Sequence, residues 1–188
     1  KQEYMKIVSS NNELLLQLID DILDLSKIEA GTMEFTFAPT DINELMEGIC
    51  RQMQEKNTSP DVAITFTEKA TECIFHTDRV RLSQVIINFT NNAMKFTSEG
   101  SIQMGYRIDE TKDEIYFYVK DTGIGIPADK IDEVFERFVK LNTFAKGTGL
   151  GLAICRVIVE RLEGTIGANS REGEGSCFWF RLPMHQKV

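Results

Sequence analysis

Helical and strand-like segments alternate along this chain, and this interleaving limits the possible folds more than any other feature. Segments without Pro or Gly carry apolar residues at three- and four-residue spacing, as helices do, whereas SIQMGYRI and EIYFYVKD alternate as strands around the turn-rich DETKDE. A doubly wound parallel sheet needs a long crossover between successive strands, so the tight turns argue against it. The pattern predicts an α/β (α+β) sandwich, with a mixed sheet and helices packed on one face.

The first segment predicts one long amphipathic helix. No Pro or Gly occurs from Tyr4 to Glu29, and Gly31 ends the helical pattern. The apolar seam contains Val8, Leu15, Leu18, Ile22 and Leu25. A stripe this wide suits a helical bundle, and one helix cannot bury its own face. We therefore divide the chain into a helical segment, residues 1–33, and a domain, residues 34–188, and expect the helix's partner to be absent from this sequence.

Composition excludes several classes of function. The 188 residues are 42% hydrophobic and 27% charged, which is globular, and the net charge is −8. An acidic chain without a Lys/Arg run is poorly suited to nucleic acid or an anionic membrane surface, and no apolar stretch reaches the ~18 residues of a membrane span. We expect no nucleic-acid partner and no direct membrane contact. The four cysteines form no C-x-x-C pair, so their spacing does not fit zinc.

Two glycine clusters are candidates for phosphate binding. DTGIGIP follows a predicted strand, and GTGLGL opens a predicted helix. Glycine lets the backbone approach a phosphate, and a helix N-terminus offers free N–H donors. Glycine turns in ordinary hairpins are the alternative. A dinucleotide-binding Rossmann motif is disfavoured, because GTGLGL is not G-x-G-x-x-G and follows a loop.

A polar stripe interrupts an otherwise core-facing helix. Asn88 and Asn92 are four residues apart and share one face, with Lys95 about a turn further on. An amide oxygen can bind Mg²⁺, which keeps its waters and phosphate ligands, and Lys can meet phosphate as a point charge. A merely solvated polar stripe is the alternative.

The motifs occur in a set order: QVIINFTNNAMKF, DTGIGIP, VFERF, GTGLGLAI and GEGSCF. In this order they resemble the boxes of the ATP-binding catalytic domain of sensor histidine kinases, within the GHKL (Bergerat) superfamily. The resemblance covers Phe35 to Pro183. The DLSKIEAG ending of the first helix is similar to the second helix of the family's dimerisation and histidine-phosphotransfer hairpin. The resemblance implies a Bergerat fold that binds ATP and Mg²⁺.

Matched box by box, the resemblance assigns nucleotide-binding roles. Asp121 would accept a hydrogen bond from the adenine amine, Gly123 and Gly125 would let the chain pass beside the base, and Ile126 would form its apolar wall. The backbone around the second glycine cluster would hold the phosphates, with a hydroxyl contact from Thr148. The residues of this phosphate cradle are Gly147, Thr148, Gly149, Leu150 and Gly151.

The resemblance also assigns catalytic and metal-binding roles. Asn92 would be the Mg²⁺ ligand, and Asn88 would assist it at the triphosphate. Lys95 would contact the phosphates, and Lys140 would contact the γ-phosphate. The catalytic set is therefore Asn88, Lys95 and Lys140. Phe135 and Phe138 of the VFERF box would anchor a lid.

The resemblance implies a protein-histidine kinase. It would transfer the γ-phosphoryl of Mg-ATP to a histidine on a dimerisation helix missing from this chain, for relay to the Asp of a response-regulator receiver domain. The hairpin would form a homodimer in the cytoplasm, in a parent protein that is an inner-membrane sensor. His76 and His185 lack the acceptor pattern of His, acid, two residues, then Thr or Asn. We therefore expect that this segment alone cannot autophosphorylate.

Two alternatives stay open. The related ATPases place a Glu general base at the position of Asn88, and Asn cannot take a proton, so hydrolysis is disfavoured. A nucleotide-binding pseudokinase that acts as an interaction module would keep the same pocket, and MgATP affinity would distinguish it.

Overall fold

The computed structural model describes residues 2–139 and 148–185. Four α-helices, seven strands and a short 3-10 helix follow one another in these residues. In chain order they are α1 (Gln2–Glu29), β1 (Ala38–Asp41), α2 (Ile42–Lys56), β2 (Val62–Glu68), β3 (Ile74–Thr77), α3 (Arg79–Phe96), β4 (Gly100–Asp109), β5 (Glu114–Asp121), the 3-10 helix (Ala128–Glu133), α4 (Gly151–Arg161), β6 (Thr165–Arg171) and β7 (Gly175–Pro183).

Five strands form one mixed sheet in the order β2-β4-β5-β7-β6. β2 runs parallel to β4, and the other neighbours are antiparallel. β1 and β3 form a separate antiparallel ribbon. The predicted mixed sheet is thus confirmed.

The core lies between one face of the sheet and the helices α2, α3 and α4. Alternate residues of each strand point into it, because side chains of a strand alternate between the two faces. On β5 and β7, Phe117 pairs in register with Phe180 and Val119 with Phe178. Phe89 of α3 packs on this layer, with its ring centroid 5.4 Å from that of Phe178. The helices therefore cover one face, as the sequence predicted.

Asp41 and Asp78 are the N-caps of α2 and α3. The Asp41 carboxylate accepts a hydrogen bond from the Glu44 amide (3.1 Å), and Asp78 accepts one from the Arg81 amide (2.9 Å). Each satisfies a backbone N–H that has no partner within the helix. Asp78 also accepts from the Thr36 amide (2.8 Å), which fixes the segment after α1 to the start of α3.

The C-terminal third of the helix α1 packs on the domain. Leu25 and Ile28 contact the core, while Asp24 binds Arg81 and Gln84 of α3. Other large apolar side chains of α1 remain exposed. They are Val8, Leu15, Leu16, Ile19, Ile22 and Leu23. Val8, Leu15 and Ile22 of the predicted apolar seam are thus exposed, whereas Leu25 of that seam packs on the domain.

Candidate nucleotide-binding site

Asp121 ends the central strand β5, where the chain turns into DTGIGIP. Its side chain is only 4% exposed, and its Oδ1 accepts a hydrogen bond from the Gly123 amide at 2.8 Å. Burial raises the pKa of the Asp121 carboxyl, and the amide hydrogen bonds from Gly123 and Ser176 oppose that rise. A buried carboxyl with a perturbed pKa beside a glycine-rich turn is a candidate binding group.

The hydroxyl of Thr97, at the end of α3, lies beside Asp121. It is buried and makes no hydrogen bond of acceptable geometry among the described residues, although it is close enough to oppose the rise in the Asp121 pKa. A ligand with polar edge atoms at this place would satisfy Thr97 and Asp121 together, so these residues fit an adenine ring.

Ile126 closes the turn on its other side. Its side chain is buried, and its amide donates to the Ser170 Oγ of β6 at 2.8 Å. Ser170 Oγ in turn donates to the Gly175 carbonyl oxygen at 2.9 Å. These hydrogen bonds fix the turn to the β6–β7 hairpin.

Asn88 and Asn92 lie half-buried on one face of α3, as their spacing predicts. The Asn92 Nδ2 donates to the Asn88 Oδ1 at 3.5 Å, which is the limit of a hydrogen bond and leaves both amides able to bind something stronger. The start of α4 packs against them, and a β-carbon on Gly151 would overlap the Asn88 amide. Glycine is needed at that position for this close approach.

Asn88 and Asn92 offer amide oxygens as possible metal ligands. Among the described residues no group of three or more His, Cys, Asp or Glu side chains could hold a metal ion. Two amide oxygens fit Mg²⁺, which takes few protein ligands and keeps waters and phosphate oxygens. Lys95 lies at the end of the same helix, where its ammonium is 4.9 Å from the Phe96 ring centroid.

The second glycine cluster forms a turn that leads into α4. The Leu150 amide donates to the Thr148 Oγ1 at 3.2 Å, and the Phe138 amide donates to the Gly149 carbonyl oxygen at 2.8 Å. Two predicted site residues, Lys140 and Gly147, lie outside the described residues.

The two phenylalanines of the VFERF box differ in burial. Phe135 is buried against Phe178, with ring centroids 6.1 Å apart, whereas the side chain of Phe138 is 68% exposed. Phe135 therefore belongs to the core, and Phe138 is not packed into it.

One contact of this turn was not predicted. The Thr148 hydroxyl donates to the Asp21 Oδ2 of α1 at 2.6 Å. The two residues are 127 positions apart, and no local pattern in the sequence connects them.

Comparison with known protein families identifies the family of this chain. Residues 77–186 match the family described as histidine kinase-, DNA gyrase B-, and HSP90-like ATPase. The chain belongs to this family. This chain is 36% identical over 200 residues to hybrid signal transduction histidine kinase K of Dictyostelium discoideum, covering 96% of this chain and 16% of that protein.

Solved histidine kinases share the fold of this chain. The full-length ShkA structure in complex with AMPPNP superposes with a TM-score of 0.85 at 28% identity, covering 100% of this chain and 40% of ShkA. The histidine kinase ThkA in complex with the response regulator protein TrrA gives a TM-score of 0.76 at 26% identity, covering 97% and 51%. The predicted sandwich fold and the resemblance to sensor histidine kinases are both confirmed.

The chain spans 16% to 25% of the length of the curated relatives it matches. Within the described residues, none of the helices is long and apolar enough to cross a membrane.

Proposed function

We propose that this chain is the catalytic domain of a protein-histidine kinase, preceded by the second helix of a dimerisation hairpin. It binds Mg-ATP and transfers the γ-phosphoryl to a histidine on a helix outside these 188 residues. In that step a histidine ring nitrogen bonds to the γ-phosphorus, the bond from that phosphorus to the β,γ-bridging oxygen breaks, and ADP leaves. The observation that carries the proposal is the buried Asp121 carboxyl, with the buried Thr97 hydroxyl beside it, at the glycine-rich turn.

Asp121 and Thr97 select the base. The Asp121 carboxylate accepts from the exocyclic amine of adenine, and the Thr97 hydroxyl beside it offers a second polar group to the base. Gly123 and Gly125 let the chain pass beside the base, and the buried Ile126 covers its apolar side.

Asn92 and Asn88 place the triphosphate. Their amide oxygens supply the protein ligands of Mg²⁺, which neutralises charge on the phosphates when it is bound. Lys95 and Lys140 add positive charge near the phosphates, Lys140 toward the γ-phosphate. The backbone of Gly147, Thr148, Gly149, Leu150 and Gly151 forms the cradle. Catalysis then rests on positioning and charge neutralisation.

Hydrolysis of ATP by water is the less favoured activity. A hydrolase needs a group that removes a proton from the attacking water, and the amide of Asn88 cannot do so. A pseudokinase is less favoured because the polar residues of the pocket are all present in the sequence.

The same proposal includes the partners and location. The exposed apolar face of α1 fits a homodimer formed through a helix hairpin, and the partner in relay is a response-regulator receiver domain. The structure of ThkA with the response regulator TrrA supports this partner class. We place the domain in the cytoplasm, within a larger inner-membrane sensor.

Phosphoryl transfer tests the proposal. When the chain is incubated by itself with labelled ATP, we expect no label on it, because His76 and His185 lack the acceptor pattern. When a separate segment carrying the first hairpin helix is added, we expect that segment to become labelled. The same segment with its acceptor His replaced by Ala is the control. Label on His76 or His185, or no label on the intact segment, would contradict the proposal.

A further inference from the structure

The carboxylate of Asp21 is buried where α1 meets the turn before α4. Its side chain is only 4% exposed. Its Oδ2 accepts from the Thr148 hydroxyl at 2.6 Å, and its Oδ1 accepts from the Gln17 Nε2 at 3.1 Å. A buried carboxylate is costly without such hydrogen bonds, so these bonds fix both the carboxylate and the Thr148 hydroxyl.

The bond to Asp21 determines what the turn can offer to a ligand. The Thr148 hydroxyl has one proton, which goes to Asp21, and its oxygen accepts from the Leu150 amide at 3.2 Å. In this arrangement the hydroxyl cannot donate to a phosphate. The Leu150 N–H, a member of the proposed cradle, is already occupied.

The negative charge of Asp21 also disfavours a phosphate at this turn. Burial chiefly raises the pKa of the Cys155 thiol, in the second turn of α4, and the negative charge of Asp21 adds to that rise. This charge therefore reaches the first turns of α4, where the phosphates are proposed to lie. Two negative groups this close together repel each other in a poorly solvated site.

We propose that α1 docking through Asp21 and phosphate binding at the Thr148–Gly151 turn oppose each other. Asp21 is a positioning residue: it takes the Thr148 hydroxyl proton and so holds that hydroxyl away from the nucleotide. The inference rests on the proposed function, because it needs the turn to bind phosphates. The remaining α1 contacts, such as Asp24 with Arg81, involve neither Thr148 nor Leu150.

Nucleotide affinity of the full chain tests the inference. Asp21→Ala frees the Thr148 hydroxyl proton and removes a charge, so MgATP should bind about fivefold or more tightly, within the usual range of coupling between sites. Asp20→Ala removes an exposed charge from the adjacent position and is the matched control, with no change expected. A merely structural role would weaken binding. An unchanged or lower affinity for Asp21→Ala would overturn the inference.

Two further measurements keep the test decisive. If Asp21→Ala fails to fold, Asp21→Asn has the same shape without the charge, and it too should bind MgATP more tightly than the parent. Because coupling is reciprocal, MgATP should speed amide hydrogen exchange of residues 17–29, and unchanged exchange would contradict the inference. A parent chain that binds no MgATP would instead overturn the proposed function.

Discussion

Replacing Asn92 with alanine is expected to reduce phosphoryl transfer to a supplied histidine segment by about 100-fold, the upper end of the loss found when a metal site is disturbed. The amide of Asn92 faces that of Asn88 at the start of α4, and its oxygen is the proposed Mg²⁺ ligand. The fold should survive, because the side chain is half-buried and belongs to the polar stripe of α3. The rate of label transfer at fixed Mg²⁺ and ATP measures the effect.

The neighbouring residue gives a matched control. Asn91 lies on the same helix, and its Oδ1 accepts from the Lys56 Nζ at 3.2 Å on the surface. Asn91→Ala removes the same side chain one position away from the site, so transfer should stay at the parent rate. An Asn92→Ala chain that transfers as fast as the Asn91→Ala chain would contradict the metal assignment.

Gly125→Ala is expected to destabilise the domain strongly and to weaken nucleotide binding. Gly125 has a φ of +70°, which side chains rarely adopt, and a β-carbon there would overlap the carbonyl oxygen of Arg171. Because that obstacle is backbone, the whole turn with Asp121 must move. We expect a loss of about 3 kcal/mol or more in the free energy of unfolding, measured by denaturant titration.

A substitution at Gly173 distinguishes the effect of steric overlap from the effect of backbone strain. Its φ is +79°, but a β-carbon there would have no atom within 4 Å. Gly173→Ala should therefore cost only about 1 kcal/mol, the strain of the left-handed conformation alone. Equal losses for the two variants would show that Gly125 is needed for its φ and not for close approach.

Local patterns predicted the elements of the fold well. The caps at Asp41 and Asp78 depend on residues three apart, and the inward face of β5 follows from strict alternation, as at Phe117 and Val119. The strand order was not predictable in this way. β2 pairs with β4 rather than with β3, because pairing depends on how the layers pack and not on any short-range pattern.

The candidate site shows the same division. The four-residue spacing placed Asn88 and Asn92 on one face, and the resemblance to the histidine kinase boxes indicated Asp121. Thr97 gave no signal, since a Thr at a helix end is ordinary and only the folded structure buries its hydroxyl beside Asp121. The contact of Asp21 with Thr148 joins two distant segments and follows from tertiary packing alone.

Base selectivity tests the central claim most directly. The Asp121 carboxylate accepts from the adenine amine, whereas guanine presents a carbonyl oxygen there and leaves two acceptors facing each other. A buried unsatisfied group costs about 1–3 kcal/mol, so calorimetric titration of the full chain should show MgATP binding about tenfold or more tightly than MgGTP. Asp121→Asn should weaken ATP binding by a similar factor. Equal affinities of the parent chain for the two nucleotides would contradict the account.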